Sequence, residues 1–336
     1  MKLEKSTAIS DLRIGRNPVA EGHMRDGSDQ SDRSFAEAEF SRLMMSDESL
    51  KVLCLRSVQT FLPLRNEAAP VIAELLKSRL IEGTPTSLVR VGDGEGNALG
   101  MTRGAVHPVQ LESFNVQFFS QLGTTLREDE ARVFGDKIRE AVCAADLIGF
   151  RSSDAPKPEF KMISDHLARG LIVATLGMLY ARALLQDELT SGRFRDKLIT
   201  SAWIHLALIP YICDIMDVAK DVIVITSRDM LRPHFETRLG KRLRSFITVP
   251  AEGYRPSSDE DTHYRKTFPG VLDALNTNLQ GTLVLVGAGL LGKLYCNTAK
   301  DSGAVALDFG SSFDVLAGMS TRPIHSSIDV NALRWV

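Results

Sequence analysis

The stretch SLVRVGDGEGNALG, residues 87–100, decides how this chain is read. Ser87 to Val91 suits a strand, and that strand runs straight into Gly92, Asp93, Gly94, Glu95 and Gly96. Such an exit can cradle a phosphate, hold a metal that holds a phosphate, or only turn the chain. Gly92 and Gly94 let the backbone come close to a ligand. Asp93 and Glu95 are acceptor-only when ionised, so they repel a phosphate unless a cation lies between. Two carboxylates at i and i+2 in a turn can converge on one hard divalent ion, Mg2+ or Mn2+. Such an ion takes oxygen ligands and keeps places for substrate phosphates. Arg90 can meet a phosphate or grip a carboxylate with two hydrogen bonds. The plainer alternative makes Glu95 an early helix residue, placed where it favours the helix dipole.

Outward from that strand, short apolar runs recur: DLIGF (146–150), KLITSA (197–202), DVIVIT (221–226), SFITVP (245–250), TLVLVG (282–287) and AVALDFG (304–310). Helix-length segments separate most of them. Strands alternating with helices indicate an α/β fold, a Rossmann-like and mostly parallel sheet flanked by helices. Ligands of such sheets bind where loops leave the carboxyl ends of the strands.

Before the first of these strands the pattern differs. Residues 1–34 are polar and aperiodic, which predicts a disordered or loosely attached arm. Residues 35–82 read as a helical lead-in. Ser46 is placed to cap a helix through DESLKVLCLRSVQTFL, and EAAPVIAELLKSRLIEG follows with Pro70 in its first turn and Gly83 at its end. The α/β part of the chain is then expected from residue 83 onward.

Composition narrows the function classes. The chain has 336 residues, 44% of them hydrophobic, enough for a sizeable core. A net charge of -2 gives no global basic field for nucleic acid. Cys54, Cys143, Cys213 and Cys296 form no C-x-x-C pair, which argues against a zinc knuckle and for a reducing, cytoplasmic setting. The longest uncharged run, LITSAWIHLALIPYIC (198–213), is shorter than the roughly 20 apolar residues of a membrane helix. It reads as a buried strand-turn-helix, with His205 a core histidine. No transmembrane segment is expected; peripheral association at the inner membrane face stays open.

A second glycine cluster competes with the first. In VLVGAGLLGK (284–293), Gly287, Gly289 and Gly292 match G-x-G-x-x-G between a strand and a helix. Asp308 lies close to the ~20-residue offset of a ribose-binding acid. A dinucleotide site for NAD(P), and so an oxidoreductase, is one use of this pattern. A phosphate or nucleotide site helped by Lys293 is another, and a tight packing turn is the third. There is no nucleophile elbow and no P-loop spacing. In TSRDMLRPHF, Ser227 and Arg228 leave a strand end, where Ser227 caps a helix or stands beside phosphates.

VRVGDGEGNALG resembles the Arg-x-Gly-Asp-Gly-Glu signature of GT-D-type glycosyltransferases. VIVITSRDMLRPHFETRLG (222–240), HYRKTFPGVLDAL (263–275) and the block from residue 283 to 323 resemble later parts of such domains, in order. The resemblance covers roughly 83–323, which implies an α/β catalytic domain over 83–323 with a C-terminal tail at 324–336. It implies sugar transfer from a nucleotide-sugar donor to a saccharide or lipid-linked saccharide acceptor, in bacterial surface or extracellular polysaccharide biosynthesis. It also implies a divalent metal, Mn2+ or Mg2+, on Asp93 and Glu95. Arg90, Arg228 and Lys293 are candidates for further phosphate contacts. His263, Asp308 and Asp314 are candidates for the base that deprotonates the acceptor. A non-catalytic nucleotide-sugar-binding protein would keep the same signature. The two glycine clusters are expected to face one cleft, Asp93–Glu95 on its metal side and residues 287–293 on its phosphate side.

Overall fold

A computed structural model describes residues 30–151 and 159–336. Among them, eight strands form one sheet: β1 Thr60–Leu62, β2 Thr86–Val91, β3 Leu147–Phe150, β4 Leu198–Ser201, β5 Asp221–Thr226, β6 Leu243–Thr248, β7 Thr282–Gly287 and β8 Val305–Asp308. Their order is β1-β4-β3-β2-β8-β7-β5-β6, and every pairing is parallel. The fold is therefore the expected α/β sheet, wholly parallel in the described residues.

Both faces of the strands inside the sheet are dry, so these strands read as continuous apolar runs instead of alternating ones. On β7, Leu283 and Leu285 enter one core, shared with Leu88, Val222, Val224 and Leu307. Val284 and Val286 enter the other, with Val89, Val91, Ile148 and Ile225. Helices Arg65–Glu82, Ile212–Val218 and Arg232–Leu239 cover the first face. Helices Pro108–Leu122, Glu128–Ala144 and Leu291–Asp301 cover the second.

The strand order reverses beside β2. The chain goes from β2 to β3 and β4 on one side, then builds β5 to β8 on the other. Such a switch point leaves a crevice at the carboxyl ends of its strands. The strand exit that opens the sequence argument therefore stands at the middle of the sheet.

Three local expectations are corrected. Helix Asp47–Ser57 stops short, and Thr60–Leu62 becomes the edge strand β1, too short at three residues to show alternation. Ser46 does cap that helix, accepting from the Ser49 N–H at 3.1 Å. The next helix starts at Arg65, which moves Pro70 beyond the first turn, while Gly83 ends it in the left-handed region with φ 67°. The first described helix begins at Gln30 instead of near Phe35, with Asp32 in its first turn favouring the dipole. The rest of the predicted arm, residues 1–29, lies outside the described residues. At the other end the tail is anchored, with the Trp335 ring 5.2 Å from that of Phe235.

Candidate active site

β2 hands over to a helix with no loop between. Gly92 is the N-cap and Asp93–Gly100 is helical, so Asp93 and Glu95 are the first and third helical residues. Residues two apart do not share a helix face. The carboxylates accordingly part. Asp93 is exposed at the mouth of the cleft, and among the described residues no hydrogen bond or ion pair holds its carboxylate. Glu95 is buried. Its Oε2 accepts the Gly92 N–H at 2.8 Å and its Oε1 meets Lys293 Nζ at 2.5 Å. The helix is set by close packing against helix Ile172–Thr190: a Cβ on Gly96 would land on the Gly177 carbonyl.

Lys293 ties the two glycine clusters together. Its ammonium also meets Asp308 Oδ2 at 3.1 Å and donates to the Gly289 carbonyl at 3.3 Å. Arg90 closes the far end of the chain of charges, with Nη2 3.0 Å from Asp308 Oδ1 and Nε donating to the Asp308 carbonyl. The result is an alternating series, Arg90, Asp308, Lys293, Glu95, under the cleft floor. Burial works to raise the Asp308 carboxyl, but Arg90 and Lys293 hold it below the ordinary carboxylate value. Burial likewise opposes the Lys293 charge, and Asp308 and Glu95 more than reverse it, raising the ammonium above its ordinary value. β2 and β7 are separated by β8, so the two clusters sit at next-but-one strand ends and still share one cleft.

That cleft has a volume of ≈ 1200 Å³ and takes residues from the ends of β2 through β8. It holds Arg90, Gly92, Asp93, Gly94, Glu95, Ser227 and Arg228. It also holds His263, Gly287, Gly289, Lys293 and Asp314. Asp308 lies beneath it. The expected site residues are thus brought together, but several are already committed. Gln121, from helix Pro108–Leu122, accepts the Leu290 N–H at 2.9 Å through Oε1. Its carboxamide occupies the helix N-terminus where a fingerprint loop would hold phosphate. A Cβ on Gly289 would strike Gln121, and one on Gly287 would strike the Phe313 ring. These glycines therefore serve internal packing. Ser227 does not cap the next helical turn; Thr226 Oγ1 accepts the Arg228 N–H instead.

The three candidate bases differ. Asp308 is locked between two cations. Asp314 accepts from Arg228 Nε at 2.5 Å and from the Thr321 hydroxyl. His263 is 3% exposed, with Nε2 3.2 Å from the Tyr295 hydroxyl. Burial pushes its imidazole down to about 4, so it is neutral but a weak base at neutral pH. Its unfolded value is near 6.5, so the unfolded chain takes a proton that the folded chain refuses. Stability is then full above pH 6.5 and is lost as pH falls towards 4, by roughly 3 kcal/mol from this group. His263→Gln is expected to flatten that part of the slope in urea unfolding measured between pH 7 and 4. An unchanged slope would mean that His263 titrates normally.

His205 is the buried core histidine expected, pushed well below its ordinary value by burial and by Arg90. Among the cleft residues missed are Arg151, directly after β3, and Trp203, after β4. The Arg151 guanidinium lies 5.6 Å from the Trp203 ring centroid and has no carboxylate partner among the described residues. Both follow apolar runs directly, so strand exits other than the glycine-rich ones carried the signal.

A divalent ion can be tested against these donors. Among the described residues no group of three or more His, Cys, Asp or Glu side chains gathers as a metal site. Glu95 has both oxygens engaged. Of the Asp93–Glu95 pair, only Asp93 is open, which fits an ion of the Mg2+ kind, held by one or two carboxylates plus substrate phosphates.

Residues 67–206 match a family model described as GT-D-like, a GT-D fold-like domain. Over that span the chain is similar to GT-D-like domains. The GT-D-like span holds β2, β3 and β4 with Arg90, Asp93, Glu95, Arg151 and Trp203, whereas Arg228, Lys293 and Asp308 lie beyond it. The match supports a glycosyltransferase. Two solved structures are similar, each at 15% identity. One is a selenomethionine-substituted structure of domain of unknown function 1792, at 79% of this chain and 82% of that chain, TM-score 0.40. The other is described as the same domain with a distinct glycosyltransferase fold, at 78% and 81%, TM-score 0.39. No curated protein matches the chain.

Proposed function

We propose that this protein is a glycosyltransferase that uses a nucleotide-sugar donor and a saccharide or lipid-linked saccharide acceptor, in bacterial surface or extracellular polysaccharide assembly. The observation that carries this is the cleft at the switch point, where the open carboxylate Asp93 shares one cavity with Arg151, Ser227 and Arg228. Guanidinium groups match phosphate with paired hydrogen bonds. In this proposal Arg151 and Arg228 take the donor's pyrophosphate, and Asp93 would hold a divalent ion against it. The ion, when bound, offsets charge on the departing diphosphate. Lys293 and Glu95 set the floor beneath, and Trp203 offers a flat face beside Arg151. Among the described residues no helix is long and apolar enough to cross a membrane. The four cysteines are unpaired, which suits a reducing cytoplasm.

The oxidoreductase alternative is weakened by the same geometry. Gln121 fills the place of a cofactor pyrophosphate, and Asp308 faces Arg90 and Lys293 instead of a ribose.

A thermal-shift panel tests the proposal, using UDP-, GDP-, dTDP- and CMP-sugars with and without Mn2+. A ligand at a hundred times its Kd stabilises by about 2.7 kcal/mol. One donor class is expected to raise Tm, more strongly with Mn2+. No shift with any of them, together with saturable NADH or NADPH binding, would overturn the proposal. A donor that binds and is never turned over across acceptors would leave a binding protein.

A further inference from the structure

One wall of the cleft is a single helix face. Helix Pro108–Leu122 lines it with Val109, Glu112, Ser113, Val116, Gln117 and Gln121, positions three and four apart. An apolar face is the norm for a helix packed on a sheet. Here the inward stripe is mostly hydroxyl, carboxamide and carboxylate.

Three of those groups lack internal partners. Ser113 is 0% exposed, and its hydroxyl has no hydrogen bond. The half-buried Gln117 carboxamide and the exposed Glu112 carboxylate make none among the described residues. Buried polar groups are normally paired, so an unpaired hydroxyl in a cleft wall calls for a ligand. Gln121 is different, because its carbonyl oxygen already caps Leu290.

The cleft is also polarised by charge. Its strand-end wall carries Arg151 and Arg228, the latter paired with Asp314, and Arg322, paired with Glu252, stands ahead of the C-terminal turn Pro323–Ser327, whereas the helix wall carries no cation among the residues that line the cleft. The arginine side suits phosphate. The helix side offers donors and acceptors next to the valine side chains of Val109 and Val116. That mixture suits a neutral ring bearing hydroxyls on its edge and C–H bonds on its face.

We propose that this helix face is the acceptor subsite, that it takes a neutral saccharide, and that Glu112 is the base. This rests on the glycosyltransferase proposal. In a direct displacement the acceptor hydroxyl oxygen bonds to the anomeric carbon and its proton passes to Glu112. The anomeric carbon–oxygen bond to the diphosphate breaks, and the electron pair leaves with the diphosphate. His263, Asp308 and Asp314 cannot take this part readily, being dry or already paired.

Saturation-transfer NMR of the full chain tests the subsite, with the methyl glycosides of glucose, galactose and N-acetylglucosamine as probes. UDP, GDP, dTDP and CMP report the donor side. At least one glycoside is expected to bind the wild type. Gln117→Leu and Ser113→Ala are expected to weaken it at least fivefold and to leave the nucleotide signal unchanged. Glu112→Gln is expected to keep glycoside binding and to lose about 10²-fold or more in turnover. Wild-type glycoside binding in both Gln117→Leu and Ser113→Ala overturns the subsite, as does no glycoside binding to the wild type. Full turnover in Glu112→Gln overturns the base. If no nucleotide binds the wild type either, the glycosyltransferase proposal falls as well.

Discussion

Lys293→Met is expected to destabilise the protein by about 3–5 kcal/mol, the usual result of removing one partner from a buried ion cluster. The ammonium is 3% exposed and sits 2.5 Å from Glu95 and 3.1 Å from Asp308. Methionine fills much the same space but leaves Glu95 buried with only the Gly92 N–H. Asp308 keeps Arg90, so Glu95 bears most of the loss. The double variant Lys293→Met, Glu95→Gln is expected to recover most of it, because Gln can still cap Gly92 and no lone charge stays buried. The pH dependence has a definite sign. Asp308 has a depressed folded value, so its stabilisation is present above about pH 4 and is lost as pH falls through the folded value. Lys293 has a raised value, so its share is present below about pH 10.4 and is lost as pH rises through the folded value. The gap between wild type and Lys293→Met should therefore be widest between these limits and narrow in strong acid. Urea unfolding at pH 7 and pH 3 checks this. A loss under 1 kcal/mol at pH 7 would show that the tie does not hold the two clusters together.

The sheet was legible because its evidence is local. TLVLVG and DVIVIT are β7 and β5 to the residue, since strands dry on both faces leave unbroken apolar runs. β1 was not legible: three residues after a helix carry too little pattern, and pairing with β4 makes the strand. The candidate site was legible as a place more than as a set of roles. Asp93, Glu95, Arg228 and Lys293 do reach one cleft. What each does there depends on partners far along the chain. Lys293 meets Glu95 across nearly two hundred residues, and Gln121 reaches Leu290 across a gap of 169. A G-x-G-x-x-G match reports only that side chains must be absent. It does not say whether a phosphate or a glutamine needs the room. Asp308 is the sharpest case, since its offset suits a ribose ligand and its side chain holds two cations instead.

Asp93→Asn is expected to lower turnover by on the order of 10²–10³, the range seen when one preorganised electrostatic contact to developing charge is lost. Its stability should barely change, since the Asp93 carboxylate is exposed and makes no ion pair among the described residues. Glu95→Gln should behave in the opposite way. Glu95 is committed to Gly92 and Lys293, so its loss disturbs the floor of the cleft while Asp93 stays open. Mn2+ binding in the presence of the nucleoside diphosphate, followed by electron paramagnetic resonance, separates the two without relying on activity. Asp93→Asn is expected to lose that binding and Glu95→Gln to retain it. The argument turns on geometry: the first and third residues of a helix point away from each other, and the buried one of this pair already has a cation 2.5 Å away. If both variants lost Mn2+ alike, Glu95 would have to leave Lys293 when the ion arrives. The Arg90–Asp308–Lys293–Glu95 series would then be a resting arrangement that the donor complex opens. If neither lost it, the ion would sit elsewhere in the cleft, and Asp93 would owe its place at the start of the helix to the dipole alone.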